Sequence, residues 1–302
     1  MKILILGGNG YVGSALYNHW GTYDVDSWDL CLWGKDLGYS VRKDVRYLTR
    51  SDLAEYNLVI MLSAHSSVDM CKHDPVGAIL NNVSNTIHVS QLLTEEQKLI
   101  YASSTSIYGK QTMCCMESDP SYQHMNWYDI TKQIVDTHMQ RLINDGKQIV
   151  GLRFGTVCGV SPNTRSDLFL NSMIHHAHAY KLFWVKNLNS TRSVLGIKDL
   201  VHAVSNICAN KFVPGIYNLK SFDITMQQAA DHINQQLGVP YQVREPDAIS
   251  YDFRVNQQLF CNTYSWQPSQ TLQSIITDLS QDYNSYTWCA RPSWPQGTSY
   301  AI

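Results

Sequence analysis

The chain opens Met1-Lys2-Ile3-Leu4-Ile5-Leu6-Gly7-Gly8-Asn9-Gly10-Tyr11-Val12-Gly13, an apolar run that stops at a glycine-rich turn. Four apolar residues are too few for the roughly 7–15-residue core of a signal peptide, and they read as a buried strand. Gly7, Gly10 and Gly13 are spaced G-x-x-G-x-x-G between that strand and an amphipathic stretch at 12–20. Glycines there permit a tight turn and let the backbone approach a pyrophosphate. The amides of Tyr11, Val12 and Gly13 then open a helix whose positive end favours an anion.

A second strand at 24–28 leads to Asp29, sixteen residues after Gly13. A carboxylate at this place can accept both hydroxyls of an adenosine ribose and repels a 2′-phosphate. No arginine follows at 30–34, so NAD is favoured over NADP. Asp44-Val45, after an expected third strand, is read as the adenine side of the site.

Further strands are expected at 58–62, 99–102 and 148–153, with helices at 75–93 and 129–144 between them. Alternation of this kind gives an α/β fold with a parallel sheet covered on both faces. The rhythm breaks near residue 160. A helix at 167–180, a segment at 192–203, a strand at 215–219 and a helix at 226–237 capped by Gly238 follow, then a tail rich in Pro and Trp. The expected division is 1–160 for the nucleotide, with 192–212 returning to it, and 161–302 for the substrate.

Charged residues are 16% of the 302, against roughly 25% in ordinary soluble domains. The net charge of −2 and the lack of a basic cluster argue against nucleic acid or an anionic membrane as partner. No apolar run approaches the ~18 residues that span a bilayer. Eight cysteines without a C-x-x-C spacing read as reduced thiols of a cytoplasmic protein. His175-His176-Ala177-His178 has no acidic partner in the sequence nearby, and no metal is expected.

Tyr128-Asp129-Ile130-Thr131-Lys132 is Y-x-x-x-K. Four residues apart on a helix, both side chains share one face. The ammonium of Lys132 is expected to lower the Tyr128 phenol toward neutrality, so that it serves as a general base. Ser104 lies twenty-four residues upstream in Tyr101-Ala102-Ser103-Ser104-Thr105-Ser106-Ile107-Tyr108-Gly109, a strand that runs into a hydroxyl-rich loop. Its hydroxyl can bind the reacting oxygen.

With these motifs in order, the chain resembles the extended short-chain dehydrogenases/reductases of the nucleotide-sugar epimerase/dehydratase family. Leu62-Ser63-Ala64-His65 resembles the L-A-A-x stretch against the cofactor. Asn82-Val83 with Thr86 resembles N-V-x-G-T, with Asn85 for glycine, and Ser103 to Gly109 resembles S-S-x-x-V-Y-G. Residues 152–159 resemble L-R-x-x-x-V-Y-G, with Cys158 for tyrosine.

The resemblance implies a doubly wound parallel Rossmann sheet with a smaller α/β substrate-binding domain, and a bound NAD. It implies a nucleotide diphosphate sugar as substrate and a homodimer built on two helices that include 82–93 and 128–142. It assigns Ser104, Tyr128 and Lys132 to catalysis. It assigns Gly7, Gly10, Tyr11, Val12, Gly13, Asp29, Asp44, Val45, Leu62, Ser63, Ala64, Asn82, Tyr128 and Lys132 to the cofactor. Ser104, Thr105, Tyr128, Asn171, Arg192 and Arg244 fall to the substrate, the last three to its diphosphate.

Three departures stand out. Thr105-Ser106 replaces the Asp-Glu pair of the 4,6-dehydratases, which argues against dehydration. Ser106 stands where the 3,5-epimerase/4-reductase branch has a reactive cysteine, and Asp129 replaces the glycine after the tyrosine; in the segment that carries Arg192, Gly196 also replaces a histidine. A 4-epimerase is expected; a C4 dehydrogenase or 4-keto-sugar reductase would use the same residues. A non-catalytic dinucleotide binder would have lost Tyr128 or Lys132.

Overall fold

The computed structural model describes residues 1–21, 24–119, 125–246, 251–281 and 283–290. Its centre is a six-stranded sheet in the order Gly215–Leu219, Ile149–Phe154, Lys98–Ser104, Leu58–Met61, Ile3–Leu6, Val25–Trp28. Every pairing in it is parallel. Ile3–Leu6 and Leu58–Met61 are buried along their whole length. Such strands find helices on both faces, and two apolar clusters fill the two sides. The chain reverses direction across the sheet between Ile3–Leu6 and Leu58–Met61. Ligands of open α/β sheets bind at the carboxyl ends of strands at such a point.

Local signals give the helix ends. Met226–Leu237 starts with the Thr225/Gln228 capping box and stops at Gly238, whose φ is +66°. Trp127–Asn144 is capped by the Asn126 side chain, which accepts from the Asp129 amide.

Two expectations are corrected. The third strand before Asp44 is absent: Val41 makes only an isolated bridge to Trp28, and Asp44 caps the short turn Val45–Tyr47. The helix expected at 75–93 runs unbroken over 75–92 and is corrected only in its winding: Pro75–Ala78 and Asn85–Leu92 are joined by a wider π-turn at Ile79–Ser84. Pattern alone cannot show a π-turn, because the apolar spacing on either side stays helical.

A smaller three-stranded sheet joins Phe222–Thr225, Thr191–Gly196 and Thr156–Cys158. Helix Ile197–Ala209 packs back on the main sheet, with Leu200 and Val204 in the same cluster as Ile3 and Ile5. Helices Phe169–Tyr180, Met226–Leu237 and Leu272–Gln281 enclose a third cluster. Gln270 fills the space against Gly196: a Cβ there would stand 2.2 Å from Gln270 Oε1, so a histidine as in the family pattern would require the Gln270 side chain to move. Trp288 packs beside the third cluster, while Pro292, Trp294 and Pro295 lie outside the described residues.

Behind the long helix, Arg153 Nε donates to Asp136 Oδ2 at 2.8 Å, both side chains nearly dry. Removing one partner of such a pair strands a buried charge. Arg153→Met is expected to lower unfolding free energy by about 3–5 kcal/mol, measured by urea denaturation. A loss within experimental scatter would show that the pair does not hold the helix.

Candidate active site

One cleft of about 680 Å³ opens at the carboxyl ends of the main strands. Its floor is the glycine turn. Gly7 has φ +92°, and a Cβ on it would stand 2.7 Å from the Ser63 amide nitrogen. A Cβ on Gly13 would stand 2.2 Å from the Gly7 carbonyl oxygen. Only glycine permits this approach. The first intrahelical bond runs from the Ser14 amide to Gly10, which leaves the amides of Tyr11, Val12 and Gly13 at the helix entrance.

Asp29 stands at the next strand end. Its Oδ2 accepts from the Asn9 amide at 3.0 Å and its Oδ1 from the Cys31 amide at 2.8 Å. Burial pushes the carboxyl up from its ordinary value. Each oxygen keeps capacity for a further donor. Leu62, Ser63, Ala64, Asp44 and Val45 line the same cleft. Asp44 also holds Arg46 in an ion pair at 2.6 Å. Ser103 is 2% exposed on the cleft wall, and its hydroxyl has no protein partner among the described residues. A narrow glycine cradle, a carboxylate one strand along and an unpartnered wall hydroxyl together fit a dinucleotide.

Ser104, Tyr128 and Lys132 meet deeper in the cleft. The Ser104 oxygen caps the turn Thr105–Tyr108 by accepting from the Ser106 amide at 3.1 Å. Lys132 is 6% exposed, and its ammonium donates to the Ala102 carbonyl at 2.8 Å, 5.6 Å from the Tyr128 ring centre. The expectation of a lowered phenol is corrected. Burial lifts Tyr128 to about 12, and the nearby Ser104 hydroxyl acts in the opposite sense. Burial also lowers Lys132 to about 8. Both shifts share one cause: charge of either sign is costly in this dry place.

Three expected contacts are not in the cleft. Asn171 is fully buried, accepting from the Gly159 amide at 3.0 Å and donating to Tyr11 Oη and the Arg165 carbonyl. With both amide atoms engaged, it braces the fold instead of meeting a diphosphate. Asn82 accepts from the His65 amide at 2.6 Å and donates to Thr131 Oγ1 at 3.0 Å, tying a strand end to the long helix. Arg244 is exposed, its guanidinium 4.1 Å from the Trp184 ring centre. Arg192 does line the cleft, and burial lowers it to about 10. Thr105 lines it too, donating to the Phe154 carbonyl at 3.1 Å. Trp127 is exposed and outside the cleft wall. The histidines at 175 and 178 stack on Tyr283. No group of three or more metal-ligating residues occurs among the described residues.

Sequence reading missed Arg165, Tyr251 and Phe253 as cleft residues. Arg165 is 7% exposed, pairs with Asp167 at 2.6 Å and donates to the Ser66 carbonyl at 3.0 Å. These residues arrive from distant segments, and no periodicity marks them.

Residues 3–219 match the NAD dependent epimerase/dehydratase family. The chain belongs to this family. It is an enzyme of the extended short-chain dehydrogenase/reductase type, in a family that works with NAD. An ADP-L-glycero-D-manno-heptose-6-epimerase of Brachyspira hyodysenteriae is 23% identical over 276 residues, covering 82% of this chain and 85% of that protein. The UDP-glucuronic acid 4-epimerase of Bacillus cereus, solved with UDP-glucuronic acid and NAD, superposes with a TM-score of 0.82 at 18% identity, over 92% of this chain and 97% of that one. The NDP-hexosamine 5,6-dehydratase TunA superposes with a TM-score of 0.84 at 20% identity, over 95% and 98%. At these identities the likeness is one of fold.

The Lys132 shift has a consequence for stability. An unfolded lysine keeps its proton to about 10.5, whereas the folded one loses it near 8. Between those values the unfolded state binds more protons, so stability rises with pH. Measured against Lys132→Met across that window, the wild-type protein is expected to gain about 3 kcal/mol. A flat difference would place the amine in water.

Proposed function

We propose that this family member is an NAD-dependent nucleotide-sugar 4-epimerase. The observation that carries the reading is convergence: Ser104, Tyr128 and Lys132 share one cleft with the glycine cradle and Arg192. The residues at 105 and 106 are Thr and Ser, which supply no acid–base pair for dehydration.

In this reading Arg192 meets the diphosphate of the sugar nucleotide, since a guanidinium matches phosphate oxygens. Ser104 holds the sugar hydroxyl, and Tyr128 takes its proton. The glycine turn and Asp29 would hold NAD, which would supply a reversible hydride acceptor for that carbon and a positive ring beside the phenol. Lys132 adds a second positive charge near the phenolate. On the return, Tyr128 gives the proton back to the same oxygen, so the sugar leaves with one centre inverted. Asn171, Asn82 and Arg244 do not line the cleft among the described residues and are given no role in this reading.

The runner-up, a C4 dehydrogenase or 4-keto-sugar reductase, stops halfway with the same residues. Product analysis with UDP-, GDP-, dTDP- and CDP-sugars separates the two: an epimer with no net change in NAD, or a ketone with reduced cofactor. The expected division of the chain, 1–160 with 192–212 for NAD and 161–302 for the sugar, is part of this proposal. So is a homodimer on the helices that include 82–93 and 128–142; of the apolar residues there, Ile134 is exposed, whereas Val89 and Met139 are buried in the core. All eight cysteines are free thiols and no described helix is long and apolar enough to cross a membrane; both support a cytoplasmic site of action.

Asp29 is expected to make the protein prefer NAD to NADP. Titration with both cofactors should show the preference, and Asp29→Ala should narrow it; tighter NADP binding by the wild type would remove the assignment.

Tyr128→Phe keeps the ring and removes the proton acceptor. Single-turnover hydride transfer to bound NAD is expected to fall by about 10²–10⁴-fold, with NAD affinity unchanged. A variant that transfers hydride at the wild-type rate would sink the mechanism.

A further inference from the structure

Asp129 follows the catalytic tyrosine, where the family pattern has glycine. It is fully buried. Its carboxylate accepts from the Tyr251 hydroxyl at 2.9 and 3.0 Å, from the Met125 amide at 3.2 Å and from Asn126 Nδ2 at 3.0 Å. Asn126 Nδ2 also donates to the Tyr251 hydroxyl. The phenol of Tyr251 is thus held at the first turn of the helix that carries Tyr128.

The other end of Tyr251 is held as firmly. Its carbonyl accepts from Arg192 Nη1, and the Arg192 guanidinium lies 5.4 Å from its ring centre. The strand that follows, Asp252–Val255, is sewn to the strand that carries Arg192. Asp252 Oδ1 accepts from the Thr191 amide at 2.9 Å, and Ser193 Oγ accepts from the Val255 amide at 3.2 Å. Tyr128, Tyr251 and Arg192 all face the same cleft.

We propose that Tyr251, anchored by Asp129, is a positioning residue that sets the separation between Arg192 and Tyr128. The inference rests on the epimerase reading, in which Arg192 holds the diphosphate and Tyr128 the reacting hydroxyl. That separation then selects sugar nucleotides whose reactive carbon lies at the matching distance from the diphosphate. The aromatic ring is a rigid spacer with two fixed ends. A glycine at 129 would offer the phenol no acceptor, and the Arg192 segment would be free to shift against the helix. Misplacement of a bound substrate by a fraction of its reach costs rate more than affinity.

The test is a double-mutant cycle. Tyr251→Phe keeps the ring and the carbonyl on Arg192 and loses only the hydroxyl. It is expected to lower kcat about tenfold. The affinity for whichever of UDP, GDP, dTDP and CDP binds the wild type best should stay within about twofold, because the contact to Arg192 is intact. Asp129→Ala also strips the acceptor from the Met125 amide and Asn126 Nδ2 and should lose at least as much, and the double variant should lose no more than Asp129→Ala alone, since the Tyr251 bond is already gone. Asp129→Asn retains an acceptor and should recover most of the rate.

Unchanged kcat, additive losses, or a parallel fall in diphosphate affinity would each overturn the proposal. Amide hydrogen exchange supplies a reading that needs no substrate. In Tyr251→Phe, exchange should accelerate together in 252–255 and in the first turn of the long helix; no change in either segment would also overturn it. If the wild type turns over none of the sugar nucleotides, the epimerase reading fails, and the exchange result still decides the positioning role.

Discussion

A buried charge pair governs how the helix that carries Tyr128 and Lys132 lies on the sheet. Arg153, on the strand Ile149–Phe154, meets Asp136, two turns beyond Tyr128 on the helix Trp127–Asn144. Tyr101 from a neighbouring strand donates to the second oxygen of Asp136 at 2.9 Å. Arg153 Nη1 reaches Tyr108 Oη at 2.7 Å, and Tyr108 donates to Asn218 Oδ1 at 2.8 Å. Two charges without water are tolerated because both Asp136 oxygens accept a hydrogen bond and the Arg153 guanidinium also donates to Tyr108 and the Glu117 carbonyl. The network fixes the rotation of the helix about its axis, and therefore the direction in which Tyr128 and Lys132 face.

Tyr128 and Lys132 share that dryness. Tyr128 is lifted to about 12 and Lys132 drops to about 8 for the same reason, the loss of hydration. Asp136 acts against the drop in Lys132, so the carboxylate that orients the helix also supports the charge on the amine. A phenolate and an ammonium side by side form a pair of low net charge, which a dry cleft accepts more readily than either ion alone. Fold and chemistry thus depend on one arrangement of buried charges.

Local signals were legible where the physics is local. The strand Ile3–Leu6, the turn at Gly7, the strand Gly215–Leu219 and the capped helix Met226–Leu237 follow from four-residue apolar runs, glycine turns and a capping box. Within the cleft, the Y-x-x-x-K pair and Ser104 could be read because a helix puts i and i+4 on one face and a strand end meets the helix entrance. Asn171, Asn82 and Arg244 match family positions in sequence, yet their side chains go elsewhere. Each is a polar group that takes its nearest good partners, and those partners come from other segments: Gly159 and Tyr11 for Asn171, His65 and Thr131 for Asn82, Trp184 for Arg244.

The amino-acid sequence by itself determined the parallel sheet, the glycine turn and the placing of Tyr128 and Lys132 on one helix face, because these rest on residue spacing along one or two adjacent elements. Only the tertiary structure decided which polar residues face the cleft, how strongly burial shifts Tyr128 and Lys132, and what Asp129 holds. The reason is that desolvation and hydrogen-bond partners are properties of the packed neighbourhood. Tyr251 lies more than a hundred residues from Asp129 along the chain, and only folding brings its hydroxyl to within 2.9 Å of that carboxylate.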